Sequence, residues 1–95
     1  MPVKQHPVTA SKSGNIYHND YTTTNAYVEL SFGFPADVLS LINDSDSDES
    51  QISYDGATLH YTLDPGEYKD IPAAGKTSVY VKATTGGEKV RVTAV

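Results

Sequence analysis

The chain has 95 residues, with seven Lys and Arg against twelve Asp and Glu and a formal net charge of −5. That length accommodates one domain around one hydrophobic core and excludes a two-domain enzyme. With no Cys, disulfide frameworks, thiolate zinc sites and cysteine nucleophiles are excluded, and the acidic balance argues against a stand-alone nucleic-acid binder, because neutralising phosphates takes clustered Lys and Arg.

Leu, Ile, Val and Phe together make only 20 of the 95 residues, so the core must be thin. Seven Tyr and ten Thr tilt the composition toward β structure, since aromatic and β-branched side chains suit a pleated, half-buried surface. Charge is unevenly spread. Residues 1–19 carry +2, residues 20–70 carry −10 and residues 71–95 carry +3. No apolar run approaches the length of a membrane span, and MPVKQHPVTASKSG lacks the apolar stretch of a signal peptide. The expectation is a soluble product made in a cytoplasm, with no membrane partner.

Residues 1–24 (MPVKQHPVTASKSGNIYHNDYTTT) read as an extended N-terminal arm. They hold two Pro, many small polar residues, and apolar side chains too scattered to form one face. Such a segment is either a loose terminus or an arm that orders on a partner, with Val3, Val8, Ile16 and Tyr17 as anchors.

Residues 25–95 are periodic. Ala26 to Phe34 alternates, with Val28, Leu30, Phe32 and Phe34 on one face. Pro35 ends that strand, and Asp37 to Asn43 begins another with Leu39 and Leu41 inward. Residues 44–50 (DSDSDES) form a polar loop. Gln51–Tyr54 and Thr58–Leu63 flank Asp55-Gly56, a favoured pair for a tight hairpin because both turn positions need positive φ, which would put Leu59, Tyr61 and Leu63 on one face. Asp64-Pro65-Gly66-Glu67 fits a type II turn. Tyr68–Ile71, Thr77–Ala83 and Lys89–Ala94 complete the strands, separated by Pro72-Ala73-Ala74-Gly75 and Gly86-Gly87.

About seven short strands, with turn signals roughly every 7 to 12 residues, indicate a small all-β antiparallel β-sandwich of immunoglobulin-like size. A partly open barrel is the alternative. The predicted core is Val28, Leu30, Phe32, Leu39, Leu41, Ile52, Leu59, Tyr61, Leu63, Val79, Val81, Val90 and Val92, with Ala94 closing it.

Motifs for chemistry are weak. Gly75-Lys76-Thr77 resembles the end of a phosphate-binding loop, but the first glycine would fall at Asp70, Pro72 removes an amide donor, and a β-rich segment follows where a helix is required. Asp44, Asp46, Asp48 and Asp55 have the spacing of a calcium loop, yet Glu49 replaces the turn glycine and no helix flanks them. A solvated acidic turn is the simpler reading. His6, His18 and His60 lack the strained serine elbow of a nucleophilic triad. Asn43-Asp44-Ser45 is a glycosylation sequon without a secretory context. No catalytic residue, cofactor or metal is expected. Tyr27, Tyr54, Tyr68 and Tyr80 cannot all be core, and exposed Tyr on a sheet is a common interface residue.

The order of elements from Leu39 onward carries a resemblance. Ile52, Tyr54, Asp55 and Gly56, then Leu63, Pro65, Gly66 and Glu67, then Thr77, Val79, Tyr80, Val81 and Lys82 with Val90, Arg91 and Val92 resemble motifs that recur in β-sandwich structural proteins of tailed bacteriophages, over about 55 of the 95 residues. The resemblance implies a virion component without catalysis, most like the capsid decoration or cement proteins, synthesised in a bacterial cytoplasm and resident on the capsid surface. Its partner would be the major capsid protein, with copies able to group as trimers around three-fold axes. The expected contact residues are Val3, Val8, Ile16, Tyr17, Tyr21 and Tyr27, with loop 44–50 turned to solvent. An extended 24-residue arm reaches about 80 Å at ~3.3 Å per residue. A tail, baseplate or head-completion module would share these strands and turns. A carbohydrate or host-surface binder would need Tyr54, Tyr68 and Tyr80 gathered together.

Overall fold

The computed structural model describes residues 14–95. Eight strands appear in chain order: β1 (Tyr17–Thr22), β2 (Val28–Ser31), β3 (Val38–Asp44), β4 (Ser50–Ser53), β5 (Tyr61–Leu63), β6 (Tyr68–Pro72), β7 (Ser78–Ala83) and β8 (Lys89–Ala94). They form two four-stranded antiparallel sheets, sheet A in the order β1-β8-β3-β6 and sheet B in the order β2-β7-β4-β5. Each sheet turns one row of side chains to a shared core. Leu39, Leu41, Ile71, Val90 and Val92 come from sheet A, and Leu30, Ile52, Leu63, Val79 and Val81 from sheet B.

The pairs β1·β8, β2·β7, β3·β6 and β4·β5 nest inside one another, alternating between the sheets. The chain is one long hairpin rolled up on itself, the strand order of a jelly roll. It has eight strands where about seven were expected.

The largest difference from the sequence reading is β1. Residues 17–22, assigned there to the arm, pair along their whole length with β8, from Tyr17 opposite Ala94 to Thr22 opposite Lys89. Tyr17, Asn19 and Tyr21 face inward and are half-buried. The pattern has period two, but its inner row is Tyr-Asn-Tyr, which hydrophobicity alone does not register.

Strand β2 ends at Ser31, short of the Phe34 that the alternation suggested, and Gly33 adopts φ +83° two residues beyond it. Val28 lies at the rim of the core and is 36% exposed. Asp55-Gly56 does not make a two-residue hairpin. Ile52 pairs with Tyr61 and β4 ends at Ser53, so residues 54–60 form a wide loop, and Leu59, expected in the core, is 50% exposed. Gly56 has φ +82°, and a Cβ there would lie 2.9 Å from the Tyr80 ring, so the loop folds flat onto β7.

Other turns follow their residues. Gly66 has φ +78° and Glu67 N–H donates to Asp64 O at 2.9 Å, closing the turn predicted over 64–67. At 73–76 the amides of Gly75 and Lys76 donate to the carbonyls of Ala36 and Ala73, both at 2.9 Å, so they are spent on the fold and make no phosphate cradle.

The registers give the globule two distinct poles. Residues 14–16, Val95 after β8 and the connections 32–37, 54–60 and 73–77 lie at one pole. Turns 23–27, 45–49, 64–67 and 84–88 lie at the other. These four turns hold Asp46, Asp48, Glu49, Asp64, Glu67 and Glu88 and no Lys or Arg.

Candidate interaction surface

Strand β1 is the edge of sheet A and β2 the edge of sheet B. The two edges face each other across the side of the sandwich, where the Tyr17 and Phe32 rings lie 5.3 Å apart and Phe32 and Phe34 6.2 Å apart. Aromatic side chains close this seam, past which neither sheet continues among the described residues. Of the predicted contact residues, Ile16, Tyr17 and Tyr21 lie along this edge: Ile16, just before β1, is 55% exposed, and Tyr17 and Tyr21 turn inward and pack half-buried against the core. Exposed Val28, which was expected in the core, and half-buried Phe34, which was expected on the same strand face, belong to the same side. Tyr27 does not join them. It lies on the outer face of sheet B with Lys82 Nζ 4.7 Å from its ring centre, and burial, then the nearby Asp55 carboxylate, raises its pKa. Val3 and Val8 lie outside the described residues.

The outer face of sheet A carries a chain of polar contacts that was not legible in sequence. His18 Nε2 donates to Asp20 Oδ1 at 2.8 Å, and in the neutral ring the Thr93 hydroxyl donates to Nδ1 at 2.8 Å. Arg91 reaches Asp20 at 3.6 Å and Asp44 at 2.9 Å, and the hydrogen bond it donates to Asp44, with the charges of both acids, raises its pKa. Ser40 and Tyr68 both donate to Asp70. A histidine between a threonine and an aspartate has the group types of a nucleophilic relay. Here the trio lies exposed on a flat sheet, and the backbone of Thr93 is committed to Ser40 of β3, so the geometry serves to order the sheet face.

The acidic turn is less uniform than a solvated loop. Asp48 is buried, and its carboxylate accepts from the Thr85 hydroxyl at 2.9 Å and the amides of Thr85 and Gly86 at 3.2 and 3.3 Å. Burial pushes its pKa up, but these donors outweigh it and the net shift is downward. Asp44 is engaged by Arg91, so the alternating acids point to different partners. No group of three or more metal-ligating side chains occurs among the described residues.

In the wide loop, Asp55 accepts from the amides of Thr58 and Ala57, each at 2.8 Å, and from Ser53 Oγ at 2.9 Å. Those bonds, the Thr58 amide foremost, lower its pKa. His60 Nδ1 accepts from Tyr54 N–H at 3.1 Å.

Both carboxylates have folded pKa values below their unfolded ones. Their contribution is therefore complete above the ordinary carboxylate range, near pH ~4, and is lost as pH falls through the depressed folded values. Amide exchange is expected to accelerate in residues 45–49 and 54–60 before the core as the solution is acidified, and Asp48→Asn should remove the acid dependence of the first loop only.

The three tyrosines required for a sugar platform do not gather. Tyr68, 56% exposed, is on the outer face of sheet A. Tyr80 faces outward from sheet B beneath the loop at Gly56. Tyr54 sits at the opposite side of the sandwich, donating to Pro72 O and meeting Tyr61 edge-on at 5.9 Å.

No protein-family model, curated protein or solved structure matches the chain.

Proposed function

We propose that this chain is a non-catalytic virion protein, a capsid decoration or cement protein that binds the assembled major capsid protein lattice through the residues leading into β1 and so stabilises the shell. The observation that carries this reading is the polarity of the globule. The chain enters β1 at one pole, beside exposed Ile16, and six acids crowd the turns of the other. A protein held by its leading segment would point its acidic end away from the surface it covers. Jelly rolls occur in viral capsid proteins and in lectins alike, so the fold supports the reading without selecting it. Separation of Tyr54, Tyr68 and Tyr80 favours an attachment role over a sugar-binding one.

Binding to the shell and not to its free subunits would stabilise the shell by linkage, and many copies on a symmetric lattice would add their contacts. Because residues 17–22 belong to sheet A, a deletion testing the arm must stop before them. Removal of residues 1–13 is expected to leave a folded domain that fails to co-sediment with shells assembled from the major capsid protein encoded alongside it. Equal occupancy by the truncated and intact chains would rule out the arm. Failure of the intact chain to bind any shell would rule out the function.

A further inference from the structure

The outer edge of β1 pairs with no other strand among the described residues. Val38 and Val95 exchange both backbone hydrogen bonds, at 3.2 and 3.1 Å. Alternation along β8 then commits Thr93 and Arg91 to β3 and leaves Ala94, Val92 and Val90 to β1. In β1, therefore, Tyr17, Asn19 and Tyr21 spend their backbone groups on β8. His18, Asp20 and Thr22 direct theirs away from the sheet.

Edge strands are ordinarily blunted by brevity, Lys, Pro or a bulge. The three other edges comply: β2 has four residues, β5 three, and β6 contains Lys69 and ends at Pro72. With six residues and an unbroken register, β1 is the longest edge and has neither Lys nor Pro.

Its sequence reads symmetrically about Asn19, as Tyr-His-Asn-Asp-Tyr. We infer that two copies of this chain associate through antiparallel β1–β1 pairing about a two-fold axis at Asn19, fusing their A sheets into one eight-stranded sheet. In this register His18 lies opposite the partner's Asp20 as a hydrogen-bonded pair, matching the outward backbone groups of both. Tyr17 lies opposite the partner's Tyr21 as a non-hydrogen-bonded pair, which brings side chains closest. Ile16 falls opposite the partner's Thr22 and loses its exposure to water.

Each Asp20 already has His18 at 2.8 Å and Arg91 at 3.6 Å, the arginine being shared with Asp44 at 2.9 Å, so pairing His18 with the partner's Asp20 sets no acid directly opposite another acid. Slipping the strands by two residues would set Asp20 against the partner's Asp20, and like charges directly opposite disfavour that alternative. The interface is isologous, as a two-fold contact must be. The inference uses only the edge and its residues; because antiparallel pairing sets the poles of the two copies in opposite directions, this dimer is a state of the free protein and must part before the leading segment of one copy faces a shell with its acidic turns pointing away.

Sedimentation equilibrium on the full chain tests it. The wild-type protein is expected to show a concentration-dependent dimer. His18→Asp alone sets acid against acid, Asp20→His alone sets histidine against histidine, and each should raise the dissociation constant about tenfold or more. In an equimolar mixture of these two variants every cross-strand pair is complementary again, and the dimer should return. Asn19→Cys adds a second, independent readout. Non-hydrogen-bonded positions bring Cα atoms to about 4.5 Å, inside the disulfide range, so this variant should cross-link in air far faster than Thr84→Cys in an exposed turn. A wild-type chain that stays monomeric or forms trimers, a mixture that does not recover, or equal cross-linking at both cysteines would overturn the proposal.

Discussion

Leu41→Ala is expected to lower stability by about 2 to 5 kcal/mol, read as a drop in denaturant midpoint without a change in slope. Leu41 is fully buried in β3, between Val92 of β8 and Lys69 of β6. Strand β3 is an inner strand of sheet A, so its neighbours are held on both sides and cannot close over a lost side chain. With 20 Leu, Ile, Val and Phe in the whole chain, few other contacts can compensate. A domain of this size has on the order of 5 to 10 kcal/mol in total, so the variant should be marginal at physiological temperature. A loss below about 1 kcal/mol would mean that the two sheets are not packed as described.

Asn43→Asp is the second. Asn43 is buried, and its Nδ2 donates to Asp48 O at 2.8 Å and Leu63 O at 3.0 Å. One side chain thus ties the acidic turn and β5 to sheet A. The substitution keeps the shape but exchanges the donor for an oxygen facing two carbonyl oxygens. At neutral pH it should cost on the order of 3 to 5 kcal/mol, because a buried charge is left without a partner. The pH dependence has a definite sign. The new carboxyl group would have its folded pKa raised above the unfolded value, so the loss is relieved on acidification and grows as pH rises through that folded value. This is opposite to the trend for Asp48 and Asp55. Asn43→Ala provides the comparison, leaving the two carbonyls unpaired but introducing no charge, and it should be milder and insensitive to pH. If both variants are equally stable at neutral pH, Asn43 is not the tie described.

The strands legible in sequence were those with branched aliphatic inner rows. In β7 and β8, Val79, Val81, Val90 and Val92 alternate with polar residues, and all four are buried; Leu39 and Leu41 served β3 in the same way. Strand β1 was missed because its inner row is two tyrosines and an asparagine, whose burial depends on the seam with Phe32. The hairpin at Asp55-Gly56 failed for a local reason: the Asp55 carboxylate captures the amides of Ala57 and Thr58, which holds the chain in a wider loop and leaves Leu59 outside. On the candidate surface, Ile16, Tyr17 and Tyr21 were singled out from their character as expected contact residues, and the strand order sets them on or beside the edge strand of sheet A. The polar chain from His18 to Asp44 was not, because its members come from β1, β8 and β3, and only the strand order makes them neighbours.

The nested pairing also constrains how the chain is made. Strand β1 cannot find its neighbour until residues 89–94 have been translated, and β2 likewise waits for β7. Early segments must remain unpaired while the ribosome completes the rest, and closing such distant pairs is slow. Polar Tyr-Asn-Tyr spacing in β1, in place of a row of valines, keeps that waiting segment soluble.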